Sequence, residues 1–260
     1  MQEITSVNND LVKETVKLQQ KKYRDKENKF ILEGKKNIEE AILAGLNIEY
    51  VFVLKEKAYN YQILNHSGQA DVQNDVNIIY TTEAVLKKIS TTESAPDIVG
   101  VAYKKITDKN HLLQSKKVVL LENIKDMGNL GTILRTSAAF GADAVILYGK
   151  ECADMYNPKC VRASVGNLWK LPIFYIADFE ELKKYFSDFE RVATLPRAKT
   201  YLKDYDAADK MLVMFGSEAD GLSKELVDFS SKKLKIEMKD SVESLNLSVS
   251  CAIVLYELFL

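Results

Sequence analysis

Six short apolar runs in the second half of the chain limit its fold more than any other feature: Val118–Leu121, Ala144–Leu147, Ile173–Ile176, Val192–Leu195, Leu212–Phe215 and Leu234–Ile236. Each is too short for a helix and mainly apolar, which suits a strand buried in a sheet. Helix-period patterns such as Thr132–Phe140 and Phe179–Phe186 lie between most of them. Strands separated by helices pair in parallel through crossovers, with the helices covering both faces of the sheet. The fold class expected is therefore α/β with a mainly parallel sheet. The segment from Leu245 onward is apolar nearly all round and reads as a helix that is buried or forms a dimer interface.

The first half alternates differently. Asn37–Ala44 has helical spacing and stops before Gly45, while Tyr50–Leu54, Asn77–Tyr80 and Ile98–Tyr103 read as strands. Thr82–Ile89 reads as a short helix that Thr82 can cap. Polar material fills Asn60–Asp75. From Lys104 to Lys117 the chain turns charged and loses periodicity, as a linker does. The expected organisation is a smaller α/β domain over residues 1–104, a linker over 105–116 and a second domain over 117–260.

Composition excludes several classes. Among 260 residues, 36 Lys and Arg face 37 Asp and Glu, a net charge of −1, so overall charge alone makes no case for nucleic-acid binding. Hydrophobic residues make up 47%, which is too many for a disordered chain. Cys152, Cys160 and Cys251 are scattered without CxxC spacing, fitting a reduced, cytoplasmic compartment. The start MQEITSVNND has neither a basic n-region nor an apolar h-region, and Leu245–Leu260 is too short and interrupted for a membrane span. His66 and His111 sit in polar stretches without ligand-spaced neighbours, so both read as surface loop residues rather than metal ligands or members of a triad.

Ligand sites in parallel sheets lie outside the carboxyl ends of the strands. Three loops in that position are rich in small and polar residues. The first is Glu122–Asn129 running into Leu130–Arg135, where Asn129 can cap the following helix. The second is Gly216–Leu222, with Glu218 in the turn and a helix starting near Ser223. The third is Asp240–Asn246, where Ser244 reads as a cap and the Asn246 amide, inside the first turn, needs partners. None is a dinucleotide or P-loop fingerprint, which argues against a small-molecule enzyme of Rossmann type.

Taken together and in this order, the three loops resemble the motifs of the SpoU/TrmH family of RNA ribose 2′-O-methyltransferases. The first resembles Asn-x-Gly-x-x-x-Arg at Asn129, Gly131 and Arg135; the second Gly-Ser-Glu-Gly-x-Gly-Leu at Gly216 to Leu222; the third Ser-Leu-Asn-x-Ser at Ser244 to Ser248. NPKCVRASVGNLWKLP, Asn157–Pro172, is similar to a family segment between motifs. Met127 stands where the family usually has proline, Ala219 where it has the middle glycine of the second motif, and Glu237 where proline is common. The segment KYRDKENKFILEGKKNIEEAILAG is similar to the family's L30e-like substrate-binding domain, whose Lys21, Lys22, Arg24, Lys26, Lys29, Lys35 and Lys36 are expected to form an RNA-contacting stripe.

The resemblance implies a C-terminal domain with a trefoil knot, a fold that topology rules do not predict. It implies a homodimer and S-adenosyl-L-methionine (AdoMet) as cofactor, held largely through backbone groups of Gly216, Ile236 and Leu245, with Leu195 as a further pocket wall. It gives Arg135 the key role at the ribose hydroxyl, with Asn129, Glu218, Ser244 and Asn246 positioning Arg135 and the RNA. By family analogy, ribosomal RNA of the large subunit is favoured over tRNA. A tRNA methyltransferase and a catalytically silent RNA-binding or ribosome-assembly factor are the alternatives. The silent factor is disfavoured because the motif residues Asn129, Arg135, Glu218 and Asn246 are all present.

Overall fold

The computed structural model describes residues 2–58, 76–239 and 241–260. His66 and the whole polar stretch 60–75 lie outside the described residues. Those described divide into two compact units, residues 1–106 with Asp154–Trp169, and Thr107–Ala153 with Lys170–Leu260.

The first unit contains β1 (Gln2–Ile4), α1 (Asp10–Lys17), α2 (Lys21–Glu27), β2 (Lys29–Glu33), α3 (Lys35–Leu43), β3 (Ile48–Leu54), β4 (Asn77–Thr81), α4 (Glu83–Ile89) and β5 (Ile98–Tyr103). Its sheet runs β1-β4-β3-β5-β2, with β3 and β4 parallel and β5 antiparallel to both β3 and β2. Val12, Phe52, Ile79, Leu86 and Val99 are among the buried side chains of its core. Thr82 occupies the cap position of α4 as expected, yet its hydroxyl makes no capping bond and is buried without a partner among the described residues.

Asp154–Trp169, a stretch from within residues 117–260, packs into this first unit. It contains α6 (Pro158–Ser164), which is capped by the Asn157 side chain, starts on a proline and packs against β2. Tyr156 and Trp169 place their rings 4.9 and 5.2 Å from that of Phe30. The firmest attachment is polar. Arg24, 1% exposed, donates from Nε and Nη2 to Asp154 Oδ2 at 2.9 and 2.7 Å, and from Nη1 to the carbonyls of Leu18 and Gln19.

The second unit contains β6 (Lys117–Glu122), α5 (Met127–Ala139), β7 (Ala144–Tyr148), β8 (Ile173–Ile176), α7 (Phe179–Phe186), β9 (Glu190–Thr194), β10 (Thr200–Tyr201), β11 (Met211–Phe215), α8 (Lys224–Phe229), β12 (Lys232–Lys235) and α9 (Leu247–Phe259). The sheet order is β10-β12-β9-β11-β6-β7-β8, and every pairing is parallel. Leu120, Ile146, Phe174 and Leu212 are in its core. The expected linker is not featureless: Lys109–Gln114 forms a 3-10 turn capped by Asp108, and it buries Leu112 in that core. His111, in the same turn, is exposed.

Register decides where the functional loops emerge. Met211 lies opposite Lys117 and Glu190, Phe215 opposite Leu121, and Leu234 opposite Thr194. The residues that follow β6, β9, β11 and β12 therefore leave the sheet along one carboxyl edge. No helix among the described residues is long and apolar enough to cross a membrane.

Candidate functional site

At that edge the loops after β9, β11 and β12 and the start of α9 enclose a pocket of about 820 Å³. Leu195, Gly216, Glu218, Ile236, Ser244, Leu245 and Asn246, all named from the sequence, line it. Its size falls within the usual range for small-molecule sites. Thr194, Arg197, Leu202, Phe215, Leu222, Met238, Ser250 and Val254 also line it, and sequence reasoning did not assign them. Leu202 sits in a 3-10 turn after a two-residue edge strand, a feature with no readable sequence pattern. Ser250 and Val254 were hidden inside an apolar run that reads as plain core.

The Gly216–Leu222 loop closes on itself. Ser217 N–H donates to the Gly221 carbonyl at 3.2 Å and Gly221 N–H to the Ser217 carbonyl at 3.1 Å. A Cβ on residue 216 would stand 1.9 Å from the Gly221 carbonyl carbon, so only glycine lets the two backbone stretches cross. Gly221 has φ +68°, whereas Ala219 is not among the positive-φ residues. The alanine at the family's middle-glycine position is therefore unstrained. The loop is tied to β6 as well, since Ser223 N–H donates to Glu122 Oε2 at 2.7 Å and the Ser223 hydroxyl caps α8. We expect Gly216→Ala to break the Ser217–Gly221 pair. Two hydrogen bonds at ~1 kcal/mol each correspond to AdoMet affinity lowered ~30-fold; calorimetric titration giving an unchanged Kd would contradict this.

The two helix starts differ from expectation. Asp126, not Asn129, caps α5, accepting the Asn129 N–H at 2.7 Å. This places Asn129 inside the first turn with its side chain released for other work. Asn246, not Ser244, caps α9, accepting the Ser248 N–H at 2.8 Å, and Ser244 is exposed. Asparagine, aspartate and serine all suit an N-cap, and backbone conformation chooses among neighbours within one turn.

The freed Asn129 joins the other two motifs. Its amide nitrogen donates to Glu218 Oε1 at 2.9 Å, and its oxygen accepts from Asn246 Nδ2 at 3.2 Å. One hydrogen-bond chain thus connects the three loops beside the pocket. Cys251 is buried behind it; burial, and after it the nearby Glu218 carboxylate, push its thiol well above the usual range, so it stays neutral. Arg135, a turn and a half beyond Asn129 on α5, is exposed, does not line the pocket, and makes no hydrogen bond or ion pair with a described residue. An unpaired guanidinium is free to meet a ligand.

The N-terminal basic stripe needs one correction. Arg24 is buried against Asp154 and offers no surface to a phosphate, because four of its five donors are already engaged. Lys29 is half-buried and pairs with Glu49 at 2.7 Å. Lys21, Lys26, Lys35 and Lys36 pair with Asp25, Glu27, Glu39 and Glu40 at 4.0, 3.1, 3.7 and 2.7 Å respectively, and Lys22 is exposed. Surface pairs of this kind are worth little and exchange partners readily.

The three loops have counterparts in known proteins. Over 99% of both chains, this one is 27% identical to the 23S rRNA (guanosine(2553)-2′-O)-methyltransferase RlmP of Bacillus subtilis. It is 29% identical to a 23S rRNA (adenosine(1067)-2′-O)-methyltransferase of Streptomyces laurentii, over 87% of this chain and 84% of the other. It superposes with a TM-score of 0.83 on an AdoMet-bound rRNA methyltransferase from Sinorhizobium meliloti, at 26% identity over 98% of this chain and 96% of that one. Residues 9–100 match the MRM3-like substrate binding domain. Residues 116–256, which carry all three loops, match the SpoU rRNA Methylase family, and the chain belongs to that family.

Proposed function

We propose that this protein is an AdoMet-dependent RNA methyltransferase that transfers a methyl group to a ribose 2′-hydroxyl of ribosomal RNA, in the large subunit. The observation that carries the reading is the Asn246–Asn129–Glu218 chain at the edge of a pocket built from three carboxyl-end loops. The pocket fits AdoMet by the chemistry of its walls. Leu195, Phe215, Ile236 and Leu245 supply apolar surface, and Gly216, which has no side chain to fill the space, lets a ligand approach the loop backbone. When bound, AdoMet supplies a methyl group already activated on a sulfonium.

The chain's own residues then have to align the hydroxyl and stabilise the charge it develops. A guanidinium is a permanent cation and a fork of donors, so Arg135 suits an electrostatic partner for the forming alkoxide rather than a proton acceptor. Asn129, Glu218, Ser244 and Asn246 hold the surroundings, and the lysines of the N-terminal unit offer sequence-independent phosphate contacts. The 23S rRNA activity named for the Bacillus and Streptomyces relatives supports the substrate class.

A homodimer, and the knotted threading of the chain end, belong to the same reading. Support for the dimer comes from α9, where Val249, Ile253, Tyr256 and Leu260 are 47, 39, 60 and 78% exposed and recur at helical spacing. A monomeric mass in sedimentation equilibrium at micromolar concentration would end that part. A thermal-shift comparison tests the cofactor. At 100 times its Kd a ligand bound only by the native state adds ~2.7 kcal/mol, so AdoMet should raise the Tm and NAD should leave it unchanged. Stabilisation by NAD and not by AdoMet would overturn the assignment.

A further inference from the structure

The hydrogen-bond chain beside the pocket has a direction that its chemistry fixes. Asn246 accepts from the Ser248 backbone N–H at 2.8 Å and from the Ser248 hydroxyl at 2.6 Å. A backbone N–H can only donate, so the Asn246 atom facing it is Oδ1, and Nδ2 must face the other way. The Asn129 atom 3.2 Å from that nitrogen must then be oxygen. Asn129 is left presenting its own nitrogen to Glu218 Oε1 at 2.9 Å. Every link is set by the one before it, and the last link asks Glu218 to accept. Its second oxygen carries no hydrogen bond from a described residue, and the residue lines the pocket.

We propose that Ser248 is a positioning residue: its two donors set the polarity of the Asn246–Asn129–Glu218 chain and so hold Glu218 as an acceptor toward a hydroxyl of the bound ribose. The proposal rests on the ribose-methylation reading and deepens it. It gives the second serine of the third motif a task, and it explains why asparagine rather than aspartate serves at position 246. Either residue caps a helix equally well, and only the amide can also donate onward. The titratable groups of the described residues on the elements around Asn246 are Asp126 and Arg135 at α5, Glu218 and Asp220 in the loop after β11, Glu237, Lys239 and Glu243 before α9, and Cys251, Tyr256 and Glu257 within it.

The test uses Asn246→Asp and Ser248→Ala in the full chain, assayed for methyl transfer with AdoMet affinity measured alongside. Asn246→Asp keeps the cap but offers Asn129 an oxygen, so the Asn129 amide must turn its own oxygen to Glu218. Misplacement of this kind lowers kcat ~100-fold near neutral pH. The loss should narrow as pH falls from about 7 through about 4, the range in which an aspartate becomes protonated, because a protonated carboxyl at position 246 restores a donor there. Ser248→Ala keeps the backbone donor and loses one hydroxyl, for a kcat ~5-fold lower. AdoMet affinity should be unchanged in Ser248→Ala, since Ser248 does not line the pocket, and in Asn246→Asp kcat is compared at saturating AdoMet because Asn246 does. Unchanged kcat in both variants, or a loss in Asn246→Asp that is the same at every pH, would overturn the proposal. If wild-type protein transfers no methyl group to any RNA, it is the ribose-methylation reading that fails. The polarity is then read from the Tm of Asn246→Asp: a deficit against wild type that closes as pH falls supports it, and a pH-independent deficit refutes it.

Discussion

Arg135→Ala is expected to bind AdoMet with wild-type affinity and to lose turnover by ~10²–10³-fold, the usual effect of removing one electrostatic stabiliser of a developing oxyanion. The two halves of the expectation have separate structural grounds. Affinity is spared because Arg135 does not line the pocket. Turnover is lost because Arg135 is the exposed, unpaired cation of the motif that also supplies Asn129. Arg135→Lys keeps the charge without the planar fork and should fall between wild type and alanine. Single-turnover transfer with saturating AdoMet and RNA measures the chemical step directly. Wild-type turnover in the alanine variant would remove Arg135 from the mechanism.

Asp154→Ala carries the largest expected effect on stability. Arg24 would remain in a nearly solvent-free position with its charge uncompensated, a loss of ~3–5 kcal/mol for a buried pair deprived of one partner. The chain has a single tryptophan, Trp169, buried in the same unit against Phe30, so its fluorescence reports on this unit during urea unfolding. A midpoint lowered with an unchanged m value is the result expected. A change below ~1 kcal/mol would mean that water or a neighbouring group replaces Asp154 without cost, and the pair would lose its structural role. Asp154→Asn retains the shape and an acceptor, and it should be the milder variant.

This pair also shows where sequence reading stops. Strands β6, β7 and β11 were legible because each is a short apolar run buried on both faces. The run Leu212–Phe215 misses only Met211 of β11, and Ile173–Ile176 matches β8 end for end, whereas in β12, Lys232–Lys235, Leu234 alone is buried. The parallel sheet followed from the helices between them. Arg24 looked like one more cation in a basic stretch because its charged partner is not near it in sequence; Asp154 lies 130 residues away. The same nonlocality made Asp154–Trp169 read as part of the second domain. Caps failed for a different reason. Asp126 and Asn129, and likewise Ser244 and Asn246, compete within a single turn, and composition cannot rank them. β10 is two residues long at a sheet edge, below any periodicity.

The candidate site was legible through its loops more than through its walls. Seven residues that the family resemblance assigned to the site line the pocket, because parallel register brings the ends of β9, β11 and β12 to one edge. The hydrogen bonds from Asn129 to Glu218 and Asn246 were not foreseeable, since they require Asn129 to be released from capping. Ala219 looked like a departure that could disturb the loop. The backbone shows that the demand for glycine falls on 216 and 221 instead.

The most direct test of the account is transfer of a labelled methyl group from AdoMet to unmodified large-subunit rRNA, small-subunit rRNA and bulk tRNA in parallel. The result expected is label in large-subunit rRNA alone, with one linkage becoming resistant to alkali, as a methylated 2′-oxygen requires. Label confined to tRNA would contradict the substrate class. Label that leaves every linkage alkali-sensitive, or no label in any RNA despite AdoMet binding, would contradict ribose methylation itself.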